Sequence, residues 1–570
     1  TANIDTNSRL CMSSAVSGHL RAFGEDVVPV DYADLESCDL LVLVGSNLAW
    51  CHPVLMQRVQ AARERRPQLR IVVIDPRRTP TAQMADLHLP LRSGTDVLLF
   101  NGLLSWLDAQ GYTDEAYVTT HTSGAQQALQ AARAASTDAL ATAQACGLEP
   151  ALVQQFFDCF AATGRVITAF SQGVNQSSAG VDKVNSIINC HLLTGRIGRA
   201  GMGPFSITGQ PNAMGGREVG GLSTQLAAHL ALEDEAHRHA VQEFWNSPRI
   251  ADQPGPKAVD LFDAIDEGRI KAVWIMATNP VVSLPDADRV KRALSRCPLV
   301  IVSDCVDRND TLSFAHIKLP AAGWAEKDGT VTNSDRHVSR QRAFQPAPGL
   351  ARPDWWIISA VTRRMGFTGF DFRGPADIFD EHARLSALSV RFGKRFDLTG
   401  LAGLSEADYA GLSPQQWPVP AGVARPASRP FADGCFSTTD GRARFVATPA
   451  RLPRHAATAE FPLVLNTGRI RDQWHTMTRT GCAPQLNAHE SEPFVDAHAH
   501  DLQAVGIAVG EIVRVVTRWG SALARVRGSG EVPAGMLFMP IHWSEQFAHE
   551  SRVGAAVNPV VDPVSGEPEF

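Results

Sequence analysis

Leu40-Leu41-Val42-Leu43-Val44-Gly45-Ser46-Asn47 is an unbroken apolar run that stops on a small residue, a hydroxyl and an amide. A short run rich in branched residues and closed by glycine predicts a strand buried on both faces. Outward from it the pattern alternates. Val54–Arg66 has helical periodicity and stops before Pro67, and Ile71–Asp75 (IVVID) and Leu87–Leu91 predict two more strands. Asp96–Leu107 is helical, and Arg165–Phe170 is a strand followed by the polar Gln172-Gly173-Val174-Asn175-Gln176. Strands alternating with helices predict βαβ units and a parallel sheet.

The same pattern recurs later in the chain. Val273–Ala277 (VWIMA) and Leu299–Asp304 (LVIVSD) predict strands of a second block. Ala277-Thr278-Asn279 follows Gly45-Ser46-Asn47 at a spacing of 232 residues, and Asp304 follows Asp75 at 229. Ala315–Pro320 follows Ala85–Pro90 at 230. So steady an offset implies an internal repeat: two related α/β domains facing each other across a pseudo-twofold axis. From Phe461 onward short strands take over, at Leu463–Leu465, Ile512–Val516, Ala522–Val526 and Met536–Met539, with Gly and Pro at the turns. These predict a compact β-barrel. The expected organisation is α/β: Rossmann-like nucleotide-binding domains over 1–198 and 199–430, and a C-terminal barrel over 455–570. The glycine-rich Gly195–Gly221 links the blocks, and the Pro/Arg/Ala-rich stretch near Pro418–Pro430 precedes the barrel.

Composition excludes several classes. The 570 residues are 44% hydrophobic and 20% charged, an ordinary globular balance. A net charge of −6 gives no basic footprint for nucleic acid, and no apolar run reaches the ~20 residues a membrane helix needs. The ten cysteines include no CxxC pair, so reduced thiols of a cytoplasmic protein are expected, without a structural zinc site. Only seven lysines occur among the basic residues, which singles out Lys327 within Glu326-Lys327-Asp328-Gly329-Thr330. The chain opens on Thr1 and stops at Phe570 within a run that reads on, which suggests a piece of a longer protein.

The repeat carries chemistry. The end of a parallel strand is where α/β sheets bind ligands. Small residues there let backbone N–H groups approach a phosphate, and the next helix start favours its charge. The Asp that ends the following strand can accept hydrogen bonds from a ribose or a base. A lone Gly-Ser-Asn is more often only a turn; two in register, each with an Asp, point to ligand binding. Two sites imply either two dinucleotides or one cofactor with two nucleotide tails. Cys11 stands where a helix is expected to begin, a setting that lowers a thiol's pKa and offers a thiolate to a metal.

The motifs NSRLCMSSAV (7–16), VGSNLAWCHPVL (44–55), VIDPRRT (73–79), GTD (94–96), GVNQSS (173–178), GQPNAMGGREVGG (209–221), WAEKDGTVTNSDRHVSRQR (324–342) and TGRIRDQWHTMTRTG (467–481) together resemble the molybdopterin oxidoreductases. Among these they resemble most the catalytic subunits of assimilatory, cytoplasmic nitrate reductases. The resemblance covers essentially the whole chain. It implies a molybdenum held by two molybdopterin guanine dinucleotides, which accounts for two nucleotide sites. It implies reduction of nitrate to nitrite and water with two electrons and two protons, in nitrate assimilation.

The same resemblance assigns residues. Cys11 is implied as the thiolate on molybdenum, a soft ligand beside soft dithiolene sulfurs. Met12 stands where formate dehydrogenases usually carry His. Arg217 matches an arginine near the nitrate pocket, where a guanidinium fork suits a planar anion. Gln210 is a neighbouring pocket residue, and Gln172 stands where periplasmic relatives often carry Met. One guanosine tail is implied at Gly45, Ser46, Asn47, Asp75, Pro76, Arg77, Gly94, Thr95 and Asp96, the other at Asn279, Ser303, Asp304, Arg308, Lys327 and Asp354. Asn175 and Gln176 are implied near a pterin, and Thr467, Gly468, Arg469, Trp474, His475 and Asn558 are implied to close over the pterins. A [4Fe-4S] cluster belongs to the family but its ligands are absent from this chain, so it is expected in the full-length protein. The implied partner is an electron donor such as ferredoxin, flavodoxin or an NADH-dependent reductase subunit, with no nucleic acid and no membrane. Two other readings stay open: a periplasmic-type nitrate reductase or formate dehydrogenase, and a metal-free scaffold subunit.

Overall fold

The computed structural model describes residues 1–423 and 429–570. Helix Ser13–Phe23 (α1) precedes a sheet made of Leu40–Val44 (β1), Arg70–Ile74 (β2), Leu87–Leu89 (β3), Val166–Phe170 (β4) and Gly203–Ser206 (β5). Its order is β3-β2-β1-β4-β5 and every pairing is parallel. All of β1 and β4 is buried. Helices cover the faces of such a sheet, so a strand with no polar alternation has somewhere to go. Helix Pro53–Arg65 (α2) joins β1 to β2 and starts on proline, whose missing N–H costs nothing at a first helical position. Helices Asp96–Ala109 (α3) and Gly180–Leu193 (α4) pack on each other, and α4 also packs on α1. Every residue of α4 is buried. The short helix Ala213–Glu218 (α5) follows β5.

The strand order reverses between β1 and β4, which opens a crevice at their C-terminal ends. Gly45 ends β1 with φ +52°, and a Cβ added there would sit 2.6 Å from the Cα of Gly173, just past β4. Only glycine allows both the backbone sign and that approach.

A second parallel unit, Ala272–Met276 (β6), Leu299–Asp304 (β7) and Ile317–Pro320 (β8), runs β6-β7-β8. Helices Ala258–Asp266 (α6) and Ala287–Arg296 (α7) pack together beside it. The repeat reaches down to single hydrogen bonds. Thr81 Oγ1 donates to Asn47 Oδ1 at 2.7 Å and Thr311 Oγ1 to Asn279 Oδ1 at 2.6 Å. The same threonine hydroxyls accept from the N–H of Ala49 and of Val281. Ile71 N–H donates to the Asp86 carboxylate, and Val300 N–H to His316 Nδ1.

The last unit departs from expectation. Val464–Gly468 (β9), Phe494–Ala497 (β10), Ile512–Val516 (β11), Ser521–Gly528 (β12) and Met536–Pro540 (β13) form a mixed sheet in the order β9-β13-β10-β12-β11. Among the described residues its edges β9 and β11 do not pair, so the expected closed barrel is corrected to an open sheet. The physical reason lies in the connections. Two neighbour pairs, β9 with β13 and β10 with β12, are parallel and need crossovers. The segment 469–493 leaves the sheet to meet the α/β units instead of adding a closing strand.

The cores do not follow chain order. The largest gathers β1–β5, α1, α3 and α4, and also Phe379, Phe396, Trp417, Phe431, Phe436 and Phe445. Residues on both described sides of the Pro/Arg/Ala-rich stretch Pro418–Pro430 thus belong to this core. Its residues 424–428 lie outside the described residues. Beyond them Arg429 pairs with Asp34, and the rings of Phe23 and Phe431 lie 5.2 Å apart. A separate core holds Phe262, Ile275, Val290, Val300 and Val302 of the second unit, and another holds Val495, Ala522, Ala524, Val526 and Met539 of the last sheet.

Candidate active site

Cys11 lies at the end of the short turn Asn7–Leu10, with Met12 leading into α1. The thiol is 5% exposed. Its Sγ donates to Gln210 Oε1 at 3.0 Å and accepts from Gln172 Nε2 at 3.1 Å. Burial, with Glu567 adding to it, pushes the thiol up to about 11 against the pull of the two glutamine bonds. The expected lowering by the helix start is thus corrected: desolvation outweighs it, and the sulfur is neutral until a cation reaches it.

The turn around Cys11 is held from behind. Asn175 Oδ1 accepts from Ala15 N–H at 2.8 Å and its Nδ2 donates to Ser171 O. Gln176 Nε2 donates to Leu10 O at 2.7 Å. Both amides thus help to position the cysteine turn. Glu567, which no sequence motif marks, is 0% exposed and accepts from Ser14 N–H at 2.7 Å and from Ser13 Oγ. Burial raises its carboxyl to about 8 despite those bonds.

Arg217 lies behind Met12. It sits on α5 with 1% exposure, and its Nε and one Nη grip both oxygens of Asp26. Its other Nη donates to Met12 Sδ at 3.1 Å. Burial works against the charge of Asp26, but Arg217 and then His19 outweigh it and hold the carboxyl far below its ordinary value. Asp26 and Met12 thus take three of the five guanidinium N–H donors. Arg217 therefore clamps Met12, the neighbour of Cys11, whose side chain is 1% exposed.

Gln210 links the thiol to the last unit: its Nε2 lies 3.1 Å from His475 Nε2. His475 keeps an exposed edge although protein crowds its ring. That crowding, then Arg469 and Arg479, push it down to about 4, so it is neutral at pH 7. It has φ +44° and packs edge-on against Trp474, with Arg469 over the indole at 4.9 Å. His542 fixes this turn: its Nδ1 lies 2.6 Å from His475 O, and its Nε2 accepts from Ile470 N–H. Nothing in the sequence separates His542 from an ordinary core histidine.

The remaining residues fall around three strand ends. Asp75 accepts from Arg77 N–H at 2.9 Å, and burial pushes its carboxyl up to about 6. Arg77 stacks at 3.4 Å over Phe538, facing Gly468, where a Cβ would strike the same ring at 2.9 Å. Thr467 precedes Gly468 on β9, and Pro76 bridges Asp75 and Arg77. Ser46 Oγ donates to Ser171 Oγ. Gly94 turns with φ +82°, and Thr95 Oγ1 donates to Arg92 O. Asp96 pairs at 2.9 Å with the buried Lys183, a partner the sequence did not suggest. In the second unit, Asn279 Nδ2 donates to Thr476 Oγ1 at 3.2 Å, next to His475. Ser303 accepts from Trp274 Nε1, and Asp304 accepts from Cys305 N–H and Asn309. Burial raises the Asp304 carboxyl. Lys327 pairs with Asp354 at 3.0 Å. Arg308 is exposed, and Asn558 only closes a turn onto Val560 N–H; neither is drawn to Cys11.

This arrangement fits a metal that arrives with its own ligands. Among the described residues no cluster of three His, Cys, Asp or Glu side chains could hold a bare ion, so Cys11 offers a single soft ligand. Arg77 Nε and Asp354 Oδ1, one in each unit, are buried without a hydrogen-bond partner. Such atoms are costly unless a ligand or water meets them.

Comparison with known proteins agrees. The molybdopterin oxidoreductase family model matches residues 1–364, and the molydopterin dinucleotide binding domain matches 463–570. The chain is 50% identical to a nitrate reductase of Klebsiella oxytoca, over 100% of this chain and 64% of that protein. It is 47% identical to a nitrate reductase of Shewanella frigidimarina, over 100% and 63%. It thus spans somewhat under two thirds of the length of these relatives. The acetylene hydratase of Pelobacter acetylenicus shares the fold, with a TM-score of 0.74 over 98% of this chain and 80% of that one, at 17% identity. No helix of the described residues is long and apolar enough to cross a membrane. With one family model over its first 364 residues and the dinucleotide binding domain over its last unit, the chain belongs to the molybdopterin oxidoreductase family.

Proposed function

We propose that this chain is the catalytic body of a cytoplasmic, assimilatory nitrate reductase. The observation that carries the reading is the Cys11 thiol with Gln172 and Gln210 on its sulfur, backed by 47% and 50% identity to two nitrate reductases. Cys11, the strand ends at Gly45 and Asn279, and the turn Arg469–His475 would hold a molybdenum bis(molybdopterin guanine dinucleotide). When bound, that cofactor supplies two electrons and an acceptor for the oxygen atom removed from nitrate. One guanosine tail would lie against each repeat, with Asp75 and Asp304 as the paired acceptors. Each carboxyl is held above its ordinary value by burial, so a hydrogen-bonded base would favour its charged form.

The side chains around the sulfur perform binding and exclusion. Burial keeps Cys11 protonated until a cation lowers its pKa, so ligation releases a proton. Gln172 and Gln210 are neutral and leave the net charge of the pocket to its cations. Those are Arg469 and Arg479, which depress His475 and would draw in an anion. Arg217 contributes through Met12 and not through its charge, which Asp26 neutralises. His475, neutral and within reach of Gln210, holds the amide in place over the sulfur.

A [4Fe-4S] cluster and a soluble electron donor, such as ferredoxin, flavodoxin or an NADH-dependent reductase subunit, belong to the same proposal for the full-length enzyme. Its test is steady-state nitrite formation with reduced viologen, set beside formate oxidation with an acceptor dye and molybdenum analysis of the same sample. Nitrate turnover with molybdenum bound and no formate oxidation supports the proposal. Formate turnover without nitrate turnover, or a protein free of molybdenum, overturns it.

A further inference from the structure

The backbone holds Gln172 in place beside the Cys11 sulfur. It opens the helical turn Gln172–Asn175 directly after β4, and its carbonyl accepts from Gln176 N–H at 2.7 Å. The next residue, Gly173, donates its N–H to Gly45 O at 3.1 Å and lies against Gly45 with no room for a Cβ on either side. The backbone that carries Gln172 is thus locked between the central strands of the first sheet. From there Nε2 reaches Cys11 Sγ at 3.1 Å, and it also faces Gly209, where a Cβ would stand 3.6 Å away. The residue type matters at this place, because a thioether or hydrocarbon of the same length would fill the same space and give the sulfur no donor.

We propose that Gln172 is a positioning residue that tunes the metal-bound sulfur by donating its amide N–H to it. An N–H on a thiolate withdraws electron density from the sulfur and weakens its donation to the metal. Less donation stabilises the more reduced metal and raises its reduction potential. Hydrogen bonds to ligand sulfurs set potentials in iron–sulfur proteins by the same physics. Gln210 reaches the sulfur from a loop and is also held by His475, whereas Gln172 comes from the rigid end of a buried strand. The donor that does not depend on loop position is therefore Gln172. The inference rests on Cys11 being the molybdenum ligand.

The test is redox titration of the full-length molybdenum-loaded enzyme, followed by the Mo(V) electron paramagnetic resonance signal. Gln172→Met keeps length and removes the donor. Gln172→Glu keeps shape and sets a carboxylate against the sulfur. Molybdenum and guanine contents are measured on every sample, so that signals are compared per bound metal. The expected result is a lower potential in Gln172→Met, by up to about tenfold in the Mo(V)/Mo(IV) ratio at fixed potential, which is about 59 mV for one electron. Gln172→Glu should lie lower still, and the KM for nitrate should move less than kcat. Potentials and signal shape equal to wild type in a loaded Gln172→Met or Gln172→Glu would overturn the proposal while leaving Cys11 as ligand. A wild-type signal that survives unchanged in Cys11→Ser would instead overturn the ligand assignment on which the proposal stands.

Discussion

A guanidinium that holds both oxygens of a buried carboxylate is a structural element before it is anything else. Arg217 and Asp26 are each about 1% exposed, and removing one partner would leave the other charged in the core. Breaking such a pair costs about 3–5 kcal/mol. Arg217→Met should therefore lower the free energy of urea unfolding by that amount, with Arg217→Lys in between because the ammonium keeps the charge but loses the fork. Unchanged stability together with a lost affinity for nitrate would return the fork to the pocket. Glu567 gives a second prediction at this scale. Its folded carboxyl is raised from 4.5 to about 8, so the neutral form favours folding. That contribution is complete below about pH 4.5 and is lost as pH rises through about 8. Glu567→Gln mimics the neutral form and should remove this slope, on the order of 1 kcal/mol per pH unit crossed. Parallel stability–pH profiles of the two proteins, at matched cofactor content, would contradict it.

At the scale of elements, the approach of β1 and β4 is set by two glycines. Gly45→Ala adds a Cβ at φ +52° that meets the Gly173 Cα at 2.6 Å. Backbone strain alone costs about 1 kcal/mol, and the backbone contact cannot rotate away. The variant should lose both thermal stability and bound guanine nucleotide, and full retention of both would show that the crevice tolerates widening. Asp75→Ala and Asp304→Ala should each lower guanine content, since a charged hydrogen bond contributes roughly 1.5–3 kcal/mol. A content of one guanine per molybdenum in the wild type would break the pairing of the repeats. The repeat was legible in the sequence because both units use the same parts: Asn47 and Asn279 end a strand, and a threonine pins each amide. β1, β2 and β4 were legible because strands buried on both faces read as unbroken apolar runs, and β7 reads the same way although its burial alternates. The open sheet was not, since turn residues show where strands stop but not whether their ends pair. Phe494–Ala497 was passed over because four residues between polar loops carry too little periodicity. Cys11 stands out in the sequence by its place before a helix, whereas the partner of Arg217 does not, because Asp26 is an unremarked acid 191 positions away.

Over the whole molecule, contacts that join the three units gather near one sulfur. Arg77 of the first reaches Phe538 of the last, Asn279 of the second reaches Thr476 of the last, and Gln210 joins Cys11 to His475. Such a centre exists only when all three are assembled, so the thiolate should be dispensable for the fold and indispensable for turnover. The measurement that tests this most directly is nitrite formed per bound molybdenum with reduced viologen, on full-length wild type and Cys11→Ser. The account predicts that the wild type reduces nitrate and that Cys11→Ser loses more than about 100-fold, beyond the ~10–100-fold that loss of a supporting partner costs, while its guanine nucleotides stay bound. Near wild-type nitrite formation by Cys11→Ser with molybdenum in place would contradict it.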